Sequence, residues 1–336
     1  MSSELKDTSL EILKMLKDNK QKYVSGEDLS NLLGISRTAV WKRIDALKKE
    51  GFDIEASTKL GYSLGNKEDP YGRLAVQSAV KTSMIGKNLS FLSEIDSTNT
   101  ELKRMAANDA SEGTVVLSEA QTAGRGRRGR SWMSDPGLGI WMSVLLRPLI
   151  HPSQVQTITL AASIAVVRAL EKHGINGLGI KWPNDILING KKVCGILTEL
   201  SAEADRTEWV VLGIGLNVNH QQEDFPDDLK PSATSLKLSF GESGHFIRSQ
   251  IASDIINELE DVYLSFLQKG PAWVVQEWKK HNVTLGKRVN LITANETLQV
   301  DVLDITKDGQ LIVKYDDGTT GTILSGEISL RAATTE

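Results

Sequence analysis

Four arginines alternate with three glycines in the motif Gly124-Arg125-Gly126-Arg127-Arg128-Gly129-Arg130. This composition disfavours a helix or a core strand, because each glycine costs about 1 kcal/mol in a helix interior and the like charges repel one another. Glycine lets the backbone approach a ligand, and arginine presents a planar charged fork that matches carboxylate and phosphate groups. The motif, which we call the arginine loop, therefore predicts an anion-binding loop. A solvated basic loop or an RGG-like nucleic-acid segment also fits, whereas the missing Gly-Lys-Ser/Thr ending disfavours a P-loop NTPase.

A second cationic position lies in the motif Lys181-Trp182-Pro183-Asn184-Asp185, at the end of an apolar stretch. Burying an ammonium group without a partner is costly, so a bound anion would explain a lysine there. In the simpler alternative, Lys181 reaches solvent or pairs with Asp185.

Small polar side chains follow two predicted strands. Ser97, Thr98 and Asn99 come after a strand at residues 91–95, and Gln121 comes after a strand at residues 114–119. These four residues, the polar cluster, offer donors and acceptors to a polar ligand. The first three could equally serve only to cap the following helix.

The segments that contain these residues are predicted to form a mixed sheet with helices. Strands are predicted at residues 140–146, 192–200 and 209–214, with a hairpin turn at Asn189-Gly190. Ser153, with Gln156 in the capping-box position, predicts the start of a long core helix. The run Gly213-Ile214-Gly215 resembles a dinucleotide fingerprint only superficially, because no helical pattern follows it.

The N-terminal region predicts a winged helix-turn-helix. A capping box begins at Thr8, and Ser25 and Ser36 each precede a further helix, with Gly34 at the turn between them. The second helix is predicted to bury Leu29, Leu32 and Leu33, and the third to turn Val40, Trp41, Ile44 and Leu47 inward. The segments at residues 52–56 and 61–64 predict a hairpin wing.

DNA contact is predicted for the outward side of the third helix, where basic side chains cluster. Residues 1–65 nevertheless contain 11 Lys/Arg and 10 Asp/Glu, so a module for protein contact is the alternative. The predicted DNA-binding residues are Ser36, Arg37, Thr38, Lys42 and Arg43.

The C-terminal part predicts two helices, at residues 247–267 and 273–280, and then short alternating strands. The strands are expected at residues 288–292, 298–305, 311–315 and 319–324, with turns at Asp308-Gly309 and Asp317-Gly318. Such a set is typical of a small SH3-like barrel. The fold class expected is therefore α/β (α+β) and multidomain, with domains at residues 1–65, 66–283 and 284–336.

Composition limits the classes of protein. The 336 residues are 40% hydrophobic and 24% charged with a net charge of −4, so any DNA contact must be local. Cys194 is the only cysteine, which excludes an intrachain disulfide and a multi-cysteine zinc site. No apolar signal region begins the chain and no apolar run reaches the roughly 18 residues of a membrane span. These features predict a cytoplasmic protein with no membrane partner.

Four motifs occur in the order seen in biotin protein ligases: the arginine loop, Lys181-Trp182-Pro183-Asn184-Asp185, Gly195-Ile196-Leu197-Thr198-Glu199 and Gly213-Ile214-Gly215-Leu216-Asn217. Together with the helix-turn-helix, the chain resembles the bifunctional, BirA-type members that are also biotin operon repressors. The resemblance covers nearly the whole chain.

The resemblance implies an activity and partners. Such an enzyme joins biotin to the α-phosphate of ATP and passes it to a lysine of the biotin carboxyl carrier protein. Mg²⁺ is expected with ATP, although the sequence shows no motif for its ligands. Biotinyl-AMP would also act as corepressor, favouring a homodimer on operator DNA.

The same resemblance implies the site residues. Lys181 and Arg127 would be catalytic. Beyond the resemblance, we hypothesise that the arginine loop is disordered when empty and closes over biotinyl-AMP, shielding it from water. Biotin would contact Ser97, Thr98, Asn99, Gln121, Arg125, Gly126, Arg127 and Lys181. ATP or the adenylate would contact Arg127, Arg128, Trp132 and Asn217.

Two other functions stay open at this point. The first is a lipoate ligase, because the two families are similar in fold, although lipoate lacks the ureido group that the polar cluster suits. The second is a ligand-sensing repressor whose ligase domain has lost activity. Turnover distinguishes it from a ligase.

Overall fold

The computed structural model of the chain describes residues 7–19, 22–241, 246–292, 296–324 and 329–332. It divides into two compact units. The first comprises Met1–Lys81 with Ile247–Asp254, and the second comprises Thr82–Phe246 with Ile255–Glu336.

The first unit contains a winged helix-turn-helix. Ser25 and Ser36 cap their helices through their side chains, and Gly34 adopts the left-handed conformation (φ 66°) at the turn between them. Apolar side chains from all four helices and the wing share one core, which includes Leu13, Leu29 and Ile44. The elements are α1 (Thr8–Asp18), α2 (Gly26–Leu33), α3 (Arg37–Lys49), β1 (Ile54–Ser57), β2 (Gly61–Leu64) and α4 (Arg73–Gln77).

Three local expectations for this unit are wrong. Asp7, not Thr8, caps α1, because its carboxylate accepts the N–H of Leu10 at 3.3 Å. Leu32 is 71% exposed and Trp41 is 56% exposed, so neither belongs to the core. Val40, Ile44 and Leu47 form the buried side of α3, and at 100° per residue Trp41 lies about 60–120° round the helix from them.

The second unit is built on a seven-stranded mixed sheet in the order β3-β4-β5-β9-β8-β7-β6. Only the β3–β4 pair is parallel, and β5, near the centre, is buried along its whole length. Asn189 (φ 49°) and Gly190 (φ 82°) make the predicted turn between β7 and β8. The strands are β3 (Leu89–Leu92), β4 (Val115–Ser118), β5 (Gly139–Leu146), β6 (Leu178–Lys181), β7 (Asp185–Ile188), β8 (Lys191–Glu203) and β9 (Arg206–Asn217).

Helices are interspersed with these strands, and the long helix between β5 and β6 packs against the sheet. The predicted capping box at Ser153 is wrong, because a 3₁₀ turn at Pro152–Gln154 precedes the helix and His151 accepts the N–H of Ser153. By length and composition the stretch Pro152–Lys172 could cross a membrane, but 78% of its apolar window is buried within the protein, as in a core helix. The helices are α5 (Thr98–Ala107), α6 (Val155–Lys172), α7 (Leu236–Phe240), α8 (Arg248–Lys269) and α9 (Pro271–Lys279).

The C-terminal strands form a five-stranded antiparallel sheet in the order β13-β12-β11-β10-β14. Four of them were predicted, and the short β14, which pairs with β10, was not. The Nε1 of Trp182 donates to the carbonyl of Gly309 at 2.9 Å, so the Asp308-Gly309 turn lies against the Lys181–Asp185 motif. The strands are β10 (Arg288–Ile292), β11 (Thr297–Ile305), β12 (Leu311–Tyr315), β13 (Thr320–Ile323) and β14 (Ser329–Ala332).

A carboxylate on α8 holds a turn of the second unit. Glu260, which is 5% exposed, accepts the backbone N–H groups of Ser83, Met84 and Ile85 at 2.5–2.8 Å. Burial alone would raise the pKa of Glu260, but these hydrogen bonds outweigh it and lower the pKa. The stabilisation is therefore present above the unfolded-state pKa of about 4.3 and is lost as the pH falls through the folded-state value.

We expect Glu260→Gln to destabilise the second unit by about 1–3 kcal/mol at pH 7, because backbone donors lose a charged acceptor. Urea unfolding at pH 7 and at pH 3 should show a smaller difference from wild type in acid. Asp227→Asn is the control, since the Asp227 side chain is 95% exposed. An equal difference at both pH values would contradict the assignment.

Candidate functional site

A cavity of about 1080 Å³ opens on the second unit. The eleven second-unit residues predicted to bind ligand all line it, although they are spread from position 97 to position 217. Short connections at the strand ends and the face of β8 and β9 bring them together. They are Ser97, Thr98, Asn99, Gln121, Arg125, Gly126, Arg127, Arg128, Trp132, Lys181 and Asn217.

The polar cluster is a hydrogen-bonded network. The side-chain oxygen of Gln121 accepts the backbone N–H of Thr98 at 2.9 Å, so Gln121 satisfies the first turn of α5. Ser97 precedes that helix but its side chain makes no capping hydrogen bond. The hydroxyl of Ser143, which is 2.7 Å from that of Thr98, donates to Asn99 Oδ1 at 2.6 Å. Simple capping by Ser97 therefore does not explain the cluster.

Glu199 holds the other side of Asn99. Its carboxylate accepts from Asn99 Nδ2 at 2.9 Å and from Lys103 Nζ at 2.7 Å, and Arg125 Nη1 lies 3.9 Å away. Burial opposes ionisation, but these hydrogen bonds and charges lower the pKa of Glu199. Asn99 is thus oriented by an ionised partner on β8.

The arginine loop is a tight turn held by backbone hydrogen bonds. Gly126 N–H donates to Arg130 O at 2.7 Å, and Trp132 N–H donates to Gly124 O at 2.9 Å. Arg128 takes the left-handed conformation (φ 57°) and donates to the carbonyl of Ile292 at 3.3 Å. The disorder expected of the loop without ligand stays a prediction.

Arg127 is the arginine that the loop turns toward the Lys181–Asp185 motif. Its guanidinium donates to Asn184 Oδ1 at 3.1 Å. Burial lowers the pKa of Arg127, Asp185 opposes that change, and Arg128 and Arg130 add to it. Arginine stays charged under such conditions, so this cation is partly desolvated and gains from an anionic ligand.

Lys181 ends β6 and is paired in register with Asp185, the first residue of β7. Asp185 also forms an ion pair with Lys192, whose Nζ lies 2.6 Å from Asp185 Oδ1. Because Asp185 Oδ1 accepts no hydrogen bond of suitable geometry from the described residues, this contact is one between charges. Lys192 was not predicted from the sequence, yet it lines the cavity.

Trp132 lies against the floor of the cavity. A side chain at Gly195 or Gly215, which are paired on β8 and β9, would collide with its ring. The Nζ of Lys192 lies 5.1 Å from its ring centroid. The Nε1 of Trp132 is buried and has no hydrogen-bond partner among the residues described, which leaves a donor available to a ligand.

A small aromatic group that the sequence did not predict lies at the far wall. Trp141 packs edge-on against His220, whose ring is stacked on Phe225 at 5.1 Å. Burial lowers the pKa of His220, which keeps its imidazole neutral near pH 7. The hydrogen-bond partner of Asn217 on this side is the carbonyl of Thr234, at 3.1 Å.

The DNA-binding residues predicted in the first unit all lie on the surface. Ser36, Arg37, Thr38, Lys42 and Arg43 are exposed, and Ser36 also caps α3 through Ala39 N–H. At 100° per residue, Arg43 lies about 160° round the helix from Trp41. Arg43 therefore occupies a different side of α3 from the one that carries Arg37 and Thr38.

Comparison with known families follows this division of the chain. A model of the biotin/lipoate A/B protein ligase family matches residues 91–217, and a helix-turn-helix domain model matches residues 8–63. A model of the biotin protein ligase C-terminal domain matches residues 284–331. Fold and matched domains define a biotin/lipoate-type protein ligase with a helix-turn-helix, which confirms the predicted fold class.

Individual relatives narrow the class. The bifunctional ligase/repressor BirA of Bacillus spizizenii is 39% identical over 92% of this chain and 94% of that protein. The Escherichia coli protein of the same name is 30% identical over 93% of this chain and 94% of its own. The Aquifex aeolicus biotin protein ligase in complex with biotin and ATP matches with a TM-score of 0.62 at 30% identity, over 74% of this chain and all of that one. The chain belongs to the family of bifunctional biotin protein ligases and repressors.

Proposed function

We propose that the protein is an ATP-dependent biotin protein ligase and a transcriptional repressor of biotin genes. In the first step a biotin carboxylate oxygen bonds to the α-phosphorus of ATP, and the bond to pyrophosphate breaks. In the second, a lysine amine of the biotin carboxyl carrier protein attacks the carbonyl carbon, and AMP leaves. The observation that carries the proposal is the convergence of the polar cluster and the arginine loop on one cavity.

Positive charge is the main requirement of the first step, because two anions must approach each other. Arg125, Arg127 and Lys181 have the charge and position to hold the biotin carboxylate and the α-phosphate, with the backbone of Gly126 nearby. We add Lys192, whose ammonium faces the same space. Lys181 and Arg127 are the residues that we propose as catalytic.

The polar cluster suits the ureido ring of biotin, which presents two N–H donors and one carbonyl acceptor. Ser97, Thr98, Asn99 and Gln121 supply both kinds of partner. For the nucleotide we propose Arg127, Arg128, Trp132 and Asn217. The unpartnered indole N–H of Trp132 supports its inclusion.

Mg²⁺ is proposed as a companion of ATP. Among the residues that the structure describes, no group of three His, Cys, Asp or Glu side chains could hold a metal ion. Magnesium is often held by substrate phosphates and one or two carboxylates, so a cage of protein ligands is not required. We assign no ligand to it.

For the repressor function we propose that α3 contacts operator DNA. Arg37, Thr38 and Lys42 lie near the N-terminal part of the helix, which commonly faces base edges. Ser36 and Arg43 complete the proposed contact set. We propose biotinyl-AMP as corepressor, a homodimer as the DNA-binding form, the cytoplasm as its location, and the domain boundaries 1–65, 66–283 and 284–336.

Biotin-dependent exchange of labelled pyrophosphate into ATP tests the ligase. Exchange with biotin and none with lipoate is the expected result. Exchange with lipoate alone would favour the lipoate ligase, and biotin binding without exchange would favour the ligand sensor.

Gly213 offers a separate prediction for biotin binding. An added Cβ there would lie 2.9 Å from Cγ of Asn99 and must displace that amide. We expect Gly213→Ala to raise the KM for biotin by about fivefold, because a hydrogen bond worth about 1 kcal/mol is lost. Steady-state exchange rates measure this. Gly72→Ala is the control, since its Cβ would meet nothing within 4 Å, and an unchanged KM would show that Asn99 does not touch biotin.

A further inference from the structure

An exposed tryptophan stands on the helix that we propose to contact DNA. Trp41 is 56% exposed, while its neighbours Val40, Ile44 and Leu47 are at most 2% exposed and complete the core of that unit. The side chain is therefore not needed to bury this face of α3. A large aromatic side chain exposed to solvent on a helix that we propose to bind DNA suggests that it contacts a binding partner.

The position of Trp41 in α3 is favourable for such a partner. It is the fifth residue of the helix, and it lies in one stripe with Arg37 and Lys48, four residues before and seven after. Thr38 and Lys42 lie together on one side of that stripe, about 60° and 100° round the helix from Trp41. The one acidic side chain of the helix, Asp45, is engaged by Lys49 at 2.7 Å.

Among the described residues, Arg37, Lys42 and Lys48 beside this aromatic group have no acidic partner. An aromatic side chain next to such cations fits duplex DNA better than an apolar protein surface. The phosphates would meet the lysines and Arg37, while the indole would enter the major groove between them. Apolar side chains read the major groove by contact with the C5-methyl group of thymine. We propose that Trp41 contacts a thymine methyl in each half-site and so helps to determine the operator sequence, an inference that depends on the proposed repressor function.

Removal of single methyl groups from the DNA tests this contact. Wild-type protein with biotin and ATP would first be used to select duplexes from a random library. Each thymine of the selected duplex would then be replaced by uracil, which lacks only the methyl group, at constant salt. We expect one thymine per half-site at which uracil weakens wild-type binding about fourfold, the equivalent of one buried methyl group.

Two protein variants complete this test. Trp41→Ala should bind the selected duplex about tenfold more weakly, within the usual cost of one lost base contact, and should be insensitive to uracil at that thymine. Leu32→Ala is the matched control, because it removes another exposed apolar side chain of the same unit, and it should keep the wild-type uracil profile. Circular dichroism and thermal unfolding would show that both variants fold.

Failure of the inference and failure of the repressor function give different results. If wild type selects no duplex, both are overturned. If wild type selects a duplex but Trp41→Ala keeps the wild-type affinity and uracil profile, only the role of Trp41 is overturned. The same conclusion follows if Trp41→Ala weakens self-association in sedimentation without changing the uracil profile, since a second copy of the chain would then cover this face.

Discussion

Arg127→Ala is expected to lower kcat/KM for biotin-dependent pyrophosphate exchange by about 10²–10³-fold, the usual effect of removing one group that stabilises charge in a transition state. Arg127 is the arginine that donates to Asn184, and its partly desolvated guanidinium gains more from an anion than a solvated one would. Arg127→Lys should recover only part of the loss, because an ammonium keeps the charge but not the planar fork.

The control for Arg127 is an arginine of equal charge away from the cavity. Arg206→Ala alters an exposed side chain at the start of β9 and should leave the exchange rate unchanged. Thermal unfolding of each variant would separate lost chemistry from lost structure. Equal small losses in Arg127→Ala and Arg206→Ala would mean that Arg127 contributes only to net charge.

Lys192→Ala should reduce exchange about as strongly as Lys181→Ala, by about 10²-fold or more. The Lys192 ammonium lies 2.6 Å from Asp185 Oδ1 and 5.1 Å from the Trp132 ring centroid, and Lys192 lines the cavity. Its removal takes away a cation and the ion pair that Lys192 forms with Asp185, next to the proposed site of two anionic substrates.

The chain supplies a matched control in the preceding residue. Lys191 is exposed and lies on the same strand with the opposite orientation. Lys191→Ala removes the same charge a few ångströms away and should retain the wild-type exchange rate. Similar losses in both variants would indicate a long-range electrostatic effect, and loss in Lys181→Ala alone would assign the chemistry to Lys181.

Much of the local structure follows from the sequence because its causes act over a few residues. The caps at Ser25 and Ser36, the left-handed Gly34 and the Asn189-Gly190 turn each depend on side chains within one turn of chain. The alternation of apolar residues likewise predicts strands such as β10 and β12 at their observed bounds. The arginine loop was recognisable because no regular element accommodates its composition.

The sequence-based predictions were wrong where the burial or pairing of a residue depends on residues distant in sequence. Trp41 has the helical spacing of a core residue, but the other helices and the wing meet α3 on the side of Val40, Ile44 and Leu47, and Trp41 lies outside that contact. The short β14 has little pattern of its own and forms by pairing with β10, some 40 residues earlier. Neither outcome can be derived from a local window.

By itself, the sequence determined the types of element, the helix-turn-helix and the presence of an irregular loop rich in arginine and glycine, since propensity, capping and charge are local properties. Only the tertiary structure decided that Lys192 rather than Lys191 faces the cavity, because alternation requires one of them to point inward without saying which. It also decided that Gln121 caps the helix begun by Thr98, and that Asn99 is oriented by Glu199. Sheet register brings these residues together, and register is set by the packing of the whole sheet.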